Sequence, residues 1–205
     1  MVLVAGCGGL GPTPVPGSAS PMAPASVAPA SPTRPPRESP TPSPSTSPPP
    51  AVPSLVDPGL LDVLPADVDG RPLTPAPDVA AVIAADPAFR RDARGVAVGI
   101  VGELSATGES FAIATVVELA PGVFDDGMFA TWRTEYDPPA CEPAGGLADT
   151  SITEIGGRTV FVATCREGAW TLHVHVSAPD RILSVTAIGS RGLADALVAG
   201  LDPGG

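Results

Sequence analysis

Lysine, asparagine and glutamine do not occur in this chain of 205 residues, so all 11 of its basic residues are arginines. Without side-chain amides, the protein lacks the groups that usually bind sugars and adenine through paired hydrogen bonds. Without asparagine, it contains no N-glycosylation sequon. Lysine and asparagine have A-rich codons, so we interpret the bias as that of a GC-rich genome.

Positive charge is scarce, because the 11 arginines face 22 acidic residues and give a formal net charge of -11. Residues 56–205 alone hold 9 arginines against 21 acids, a net charge of -12. Such a surface repels the phosphate backbone of nucleic acids and anionic lipid head groups. We therefore expect no nucleic-acid partner.

Long apolar runs and catalytic signatures are also missing. No stretch approaches the roughly 20 apolar residues that a transmembrane helix needs, so we expect any membrane attachment to be covalent or peripheral. The chain contains no G-x-S-x-G, H-E-x-x-H, Walker or G-x-G-x-x-G pattern. We therefore expect a protein that is not an enzyme and needs no cofactor. The alternative is a hydrolase whose triad comes from scattered residues and leaves no motif.

The composition changes at about residue 55. Residues 8–55 contain 16 prolines and 13 serines or threonines but only three charged residues. Apolar side chains are too few there to offset the entropy of ordering, so we predict a disordered tether before a globular domain at residues 56–205. A tether of about 48 residues spans roughly 40 Å as a coil and on the order of 150 Å when extended. A ligand for an SH3-like domain at Pro32 to Pro36 is the alternative.

Residues 1–7, M-V-L-V-A-G-C, end in small residues immediately before a cysteine. Val4, Ala5, Gly6 and Cys7 resemble the lipobox of bacterial lipoproteins. The resemblance implies cleavage before Cys7, a diacylglyceryl group on its sulfur, and a lipid-anchored location on the extracytoplasmic face of the cell membrane. Only six residues precede Cys7 and none is basic, so we expect the natural start codon to lie upstream.

Cys141 and Cys165 remain once Cys7 is assigned to the lipid. An even pair suits an oxidising compartment, so we predict a disulfide bond between them. In the loop-entropy description, closing a loop of about 25 residues contributes roughly 3.5 kcal/mol. A metal site or a catalytic thiol is the alternative, but the Cys-x-x-Cys spacing and a nearby histidine signature are missing.

The patterning of residues 56–205 predicts an α+β domain. We expect an antiparallel sheet of about six strands with helices packed on one face. Hairpin turns are expected at Thr107-Gly108 and at Gly156-Gly157, the second of type I′. Asp78 is a candidate N-cap. The predicted strands cover residues 95–104, 110–119, 150–155, 158–165, 169–177 and 182–188, and the predicted helices cover 79–85, 123–136 and 191–201.

Two segments carry a further resemblance. L-P-A-D-V-D-G-R-P-L at residues 64–73 and G-L-A-D-A-L-V-A-G-L at residues 192–201 resemble uncharacterised extracytoplasmic domains of GC-rich bacteria. The resemblance agrees with the location implied by the lipobox and brings no known activity.

His173 and His175 are the only histidines, and strand alternation places them on one face with Thr171 and Ser177. Two imidazoles in this arrangement are a known way to bind Zn²⁺ or Cu²⁺, with a third ligand from a carboxylate. In the simpler interpretation, which we favour, this row faces water, and Leu172, Val174 and Val176 on the other side of the strand face the core.

An aromatic stripe marks the predicted helix at residues 123–136, which holds four of the eight aromatic residues. The stripe could line an apolar ligand pocket, with Trp132, Tyr136 and the neighbouring Arg133 and Glu135 as its polar edge. The simpler interpretation is that the stripe packs on the sheet as core.

Together these features predict a lipid-anchored, extracytoplasmic and non-catalytic binding domain, held off the membrane by its tether. We expect a monomer whose partner is a small molecule or another envelope protein. The alternatives are a metal-binding protein that uses His173 and His175, and a hydrolase without a recognisable motif.

Overall fold

A computed structural model describes residues 54–102, 110–177 and 180–202 of the chain. The lipobox, residues 8–53 of the predicted tether and the predicted turn at Thr107-Gly108 lie outside these residues. Within them, eight strands form a single sheet in which every neighbouring pair of strands is antiparallel. The prediction of an antiparallel α+β domain is confirmed. None of the helices in the described ranges is both long enough and apolar enough to cross a bilayer.

The strands follow the order β1-β2-β3-β4-β8-β7-β6-β5 across the sheet. Consecutive strands are therefore neighbours except between β4 and β5, where the chain crosses to the far edge by way of a helix. The strand bounds are β1 (Asp67–Val68), β2 (Arg71–Pro75), β3 (Ala93–Gly102), β4 (Phe111–Leu119), β5 (Leu147–Ile155), β6 (Arg158–Cys165), β7 (Ala169–Ser177) and β8 (Asp180–Ile188).

The sheet has two strands more than predicted, and both lie at its first edge. Strand β2 has the sequence R-P-L-T-P, and its two prolines argue against a strand when the sequence is read alone. Strand β2 is paired on its outer side only with the two-residue β1, however, so most of it behaves as an edge, where a proline without an N–H is tolerated. The short β1 pairs only with β2, so this edge ends in a two-residue strand.

Four α-helices accompany the sheet, and two of their starts differ from the predictions. Helix α1 has Ala76 as its N-cap and Pro77 in its first turn, so Asp78 lies inside the helix and is not its cap. Helix α3 begins at Asp126, because the Asp125 carboxylate accepts a hydrogen bond from the backbone N–H of Met128. The helix bounds are α1 (Pro77–Ala84), α2 (Pro87–Asp92), α3 (Asp126–Cys141) and α4 (Arg191–Ala199), and a 3₁₀ helix covers Pro58–Val63.

Helices cover both faces of the sheet, so the prediction that they pack on one face is wrong. Helix α4 and the 3₁₀ helix pack on one face, which we call the α4 face. Helices α1, α2 and α3 pack on the other, the α3 face. The two central strands β3 and β4 are apolar almost without interruption, and both sides of them are buried. Such runs are typical of strands covered on both faces.

The hairpin of β5 and β6 turns at Gly156-Gly157, as predicted. Both glycines have positive φ values, 58° and 75°, the combination that a type I′ turn requires. The turn sets the register that aligns one row of side chains across the sheet on the α3 face. The row runs through Ile152, Phe161, His173, Ser184 and Thr115.

Candidate functional site

A buried polar cluster lies between α3 and strands β7 and β8. Its centre is Asp137, whose Oδ1 accepts hydrogen bonds from Thr171 Oγ1 and, at 2.8 Å, from His173 Nε2. Asp137 is only 6% exposed, and both Thr171 and His173 are completely buried. A buried carboxylate is expensive to desolvate unless it is hydrogen-bonded, so these two donors make the position tolerable.

Ser184 and Trp132 complete the cluster and define the tautomer of His173. Trp132 Nε1 can only donate, and it donates to Ser184 Oγ at 3.1 Å. The serine hydroxyl then donates to His173 Nδ1 at 2.8 Å, and His173 Nε2–H donates to Asp137. The neutral Nε2–H form of the imidazole therefore satisfies every group in this chain of bonds. This tautomer is assigned from the network of partners.

Tyr136 attaches α3 to the sheet beside this cluster. Its hydroxyl shares a hydrogen bond of 3.1 Å with Thr186 Oγ1, and its ring meets His173 edge to face with centroids 5.0 Å apart. Burial raises the pKa of Tyr136 above its ordinary value, against the opposing effect of hydrogen bonds to Thr186 and Thr115. Trp132 and Tyr136 thus face the sheet, as expected if the aromatic stripe packs on the sheet as core.

The histidine row does not face water, which corrects the interpretation favoured above. Helix α3 covers β7, so Thr171 and His173 are buried, and His175 stacks on Phe124 with ring centroids 3.4 Å apart. His175 Nε2 also lies 3.4 Å from Asp180 Oδ1. The expectation failed because it assumed a sheet covered on one face only.

Metal binding by His173 and His175 would break existing bonds. Both ring nitrogens of His173 are already engaged, so a metal would have to displace either Ser184 or Asp137. Within the described ranges, no three His, Cys, Asp or Glu side chains are grouped to hold a metal ion.

Ser184, His173 and Asp137 are the residue types of a hydrolase triad and are hydrogen-bonded in that order. They are buried in the core, however, and not exposed to a substrate. Ser184 and His173 have no exposed surface, and the Trp132 indole donates to the serine oxygen. A nucleophile has to reach the substrate, and triads are recognised by geometry and not by composition. As arranged, the three residues fasten α3 to the sheet.

A cleft lies next to this cluster, between the second half of α3 and strands β5 and β6. Its volume is about 720 Å³, within the range of small-molecule sites. On the edge strand β5, Ile152 is 67% exposed. The residues that line it include Arg133, Asp137, Leu147, Ile152 and Phe161.

Arg133 is the basic group of the cleft. Its guanidinium carbon lies 3.6 Å from the centre of the Phe161 ring, and its Nε donates to the carbonyl of Phe129 at 3.2 Å. The terminal nitrogens Nη1 and Nη2 have no hydrogen-bond partner among the described residues. Burial lowers the pKa of Arg133 below its ordinary value, and the nearby Asp137 charge opposes that effect. The result is a guanidinium held over an aromatic ring with its terminal donors unused.

The three residues predicted to bind a ligand, Trp132, Arg133 and Tyr136, do not line one common cleft. Arg133 lines the large cleft, whereas Trp132 lines a second cleft of about 510 Å³ between α2 and α3, with Phe89 and Glu135 in its wall. Tyr136 is absent from the lining of both.

Cys141 and Cys165 lie at disulfide-bonding distance, with their Cα atoms 5.2 Å apart. Cys141 is the last residue of α3 and Cys165 the last residue of β6, so the pair joins the helix to the floor of the cleft. Both are buried. Cys7 lies outside the described residues.

Asp137 and Ser184 were missed when the sequence was read alone. The predicted helix ended at residue 136, because Pro138 and Pro139 indicate a loop. The helix continues through both prolines to Cys141. A usable signal was present, since Asp137 lies four positions after Arg133 and eight after Phe129, spacings that return to the same side of a helix.

No protein-family model matches the chain, and no curated protein or solved structure shows a significant similarity to it.

Proposed function

We propose that this chain is a lipid-anchored, extracytoplasmic protein whose acidic domain binds a small ligand in the cleft between α3 and strands β5 and β6, without catalysis. The V-A-G-C sequence before Cys7 supports the anchor. The cysteine pair at disulfide-bonding distance supports an oxidising compartment.

The free guanidinium of Arg133 is the observation that carries the binding function. A half-buried arginine normally uses its terminal nitrogens, as Arg158 does on two carbonyl oxygens and Arg181 on Glu118. Arg133, in contrast, keeps its terminal donors unused in an open cleft, although the domain holds 21 acidic residues that could have paired with it. Guanidinium donors match the geometry of carboxylates. The cleft thus suits a small organic anion with an apolar body.

The absence of catalysis is proposed from the state of the reactive groups. Ser184 is buried and hydrogen-bonded to Trp132, and the sulfurs of Cys141 and Cys165 face each other. Ligand binding requires no movement of these groups, whereas attack by Ser184 requires Trp132 to leave.

The anchor is tested by metabolic labelling with a lipid precursor in the native membrane. The wild-type chain should take up label, and Cys7→Ser should not. A Cys141→Ser/Cys165→Ser variant is the matched control and should label like the wild type. Equal labelling of the wild type and Cys7→Ser would overturn the anchor.

Binding is tested with 3-phenylpropionate, an anion with an apolar body, in an NMR titration of the isotope-labelled chain. We expect resonance shifts concentrated on Phe161, Ile152 and the second half of α3, with millimolar affinity or better. Arg133→Met keeps the aliphatic contact with Phe161 but removes the charge, and should weaken binding about tenfold or more. Arg94→Met, an exposed arginine outside the cleft lining, is the control. Shifts that are scattered, or unchanged by Arg133→Met, would contradict the site.

A further inference from the structure

The two carboxylate oxygens of Asp137 have different environments. Oδ1 accepts both hydrogen bonds, from Thr171 and from His173. Oδ2 has no hydrogen-bond partner among the described residues. The side chain is nevertheless nine-tenths buried, with a relative exposure of 9%. One half of this carboxylate is therefore fixed in the core, and the other half is left as an acceptor.

Oδ2 faces the cleft. Every fully buried side-chain nitrogen or oxygen in the described ranges has a hydrogen-bond partner. Since Oδ2 has none, it must keep some contact with solvent, and the cleft beside Arg133 is the opening that Asp137 lines. A carboxylate oxygen at the inner wall of a mainly apolar cleft is a strong acceptor for a cation or an N–H donor.

Arg133 and Asp137 are near each other but not paired. They are one helical turn apart on α3, a spacing that brings side chains to the same face. No carboxylate oxygen of the described residues forms an ion pair with Arg133 within 4.0 Å. The guanidinium instead lies on the Phe161 ring. The cleft therefore presents a positive and a negative group side by side, with a gap between them.

We propose that the cleft binds a zwitterionic α-amino acid with an apolar side chain. Its carboxylate binds the terminal nitrogens of Arg133, its ammonium binds Asp137 Oδ2, and its side chain lies on Phe161 and Ile152. The inference rests on the proposed function, because it assigns the ligand class of the same site.

The charge balance favours a zwitterion over a simple anion or amine. An anion that binds Arg133 alone leaves Asp137 Oδ2 facing the apolar body of the ligand. An amine that binds Asp137 alone leaves the Arg133 guanidinium facing that apolar body. Leaving a desolvated charge unpaired is costly. In an α-amino acid the two charged groups share one carbon, and this matches two protein groups one helical turn apart.

The test compares three probes with the same aromatic body by NMR titration: L-phenylalanine, 3-phenylpropionate and 2-phenylethylamine. We expect L-phenylalanine to bind at least about tenfold more tightly than either of the others. Asp137→Asn keeps an oxygen for Thr171 and His173 but presents an amide donor to the cleft. It should abolish the preference for L-phenylalanine over 3-phenylpropionate. Arg133→Met, which does not touch the buried cluster, should abolish the preference over 2-phenylethylamine.

The outcomes separate this inference from the proposed function. If 3-phenylpropionate binds in the cleft as tightly as L-phenylalanine, the zwitterion is overturned and the anion-binding cleft stands. If none of the three probes shifts cleft resonances up to about 10 mM, both are overturned. If Asp137→Asn does not fold, judged by its amide spectrum, the Arg133→Met comparison decides alone: an unchanged preference over 2-phenylethylamine overturns the zwitterion.

Discussion

Helices α4 and α3 cover opposite faces of one sheet and are attached to it by different means. Helix α4 packs through apolar side chains such as Leu193 and Leu197, which share one buried core with Leu172 and Leu183 of the sheet. Helix α3 buries less of its own length and is attached at separate points. These points are the indole of Trp132, the hydroxyl of Tyr136, the carboxylate of Asp137 and the sulfur of Cys141.

The two helices therefore have different roles: α4 mainly stabilises the fold, and the attachments of α3 mainly fix where that helix lies on the sheet. Burial of apolar area is non-directional, so the α4 face contributes free energy without fixing single atoms. Hydrogen bonds and a cross-link are directional and define where α3 lies on the sheet. Arg133 and Asp137 are on α3, so the attachments of this helix fix the position of the two charged groups in the cleft.

The largest effect is expected on the α4 face. Leu197 is completely buried between α4 and the sheet, and Leu197→Ala should lower the free energy of unfolding by about 4 kcal/mol through lost burial and a cavity. Urea unfolding followed by circular dichroism measures it. Val82→Ala, at a side chain 75% exposed on α1, is the control and should change little. A loss below about 1 kcal/mol at Leu197 would contradict the role given to this face.

Removing the cysteine pair should have the next largest effect. Cys141→Ser/Cys165→Ser opens a link between residues 24 positions apart, and it should cost roughly 3.5 kcal/mol if the pair is oxidised. Urea unfolding with and without a reductant checks this. The reductant should destabilise the wild type and leave the double variant unchanged. A wild type that does not respond to reductant would mean that the two thiols are free or that the link is not stabilising.

The polar cluster should show a smaller and more selective effect. Asp137→Ala leaves Thr171 and His173 without their acceptor in a buried place, and should cost about 2 kcal/mol. Asp137→Asn retains an oxygen for both donors and should cost less than half as much. Urea unfolding of the two variants in parallel gives the comparison. Equal losses would show that the charge of Asp137, and not its acceptor geometry, stabilises the cluster.

Elements with strong periodicity could be predicted from the sequence. The hairpin at Gly156-Gly157 and strands β6 and β7 agree residue by residue with the predicted spans. Local patterns do not say what lies on the far side of a strand, so the second helix layer was missed. The uninterrupted apolar runs of β3 and β4 were the available sign of burial on both faces.

The site was predictable only in part. Arg133 was named from the helix, but the ring on which its guanidinium lies belongs to Phe161, which is 28 positions further along the chain on strand β6. Asp137 was missed because two prolines indicate a helix end, whereas tertiary contacts and the Cys141 link hold the helix together beyond them. Such long-range contacts leave no periodic signal in the sequence.

The smallest effect expected at neutral pH belongs to Tyr136, and it diminishes in alkali. Tyr136→Phe removes one hydrogen bond to Thr186 and should cost about 1 kcal/mol. Burial raises the pKa of the Tyr136 hydroxyl in the folded chain above its unfolded value. The stability that this group contributes is therefore complete below about pH 10 and is lost as the pH rises through the folded pKa.

The chain is well suited to measuring this effect, because it has no lysine and Tyr136 is its only tyrosine. Phenolate absorbance then reports a single group, and urea unfolding between about pH 8 and pH 11 gives the stability curve. The wild type should lose stability above about pH 10, and Tyr136→Phe should not lose this component. A wild-type phenolate that titrates at the ordinary pKa of tyrosine would mean that Tyr136 is solvated. Trp132 and Asp137 would then be the remaining polar attachments of α3 to the sheet, and the cleft would be less firmly positioned than the α4 face.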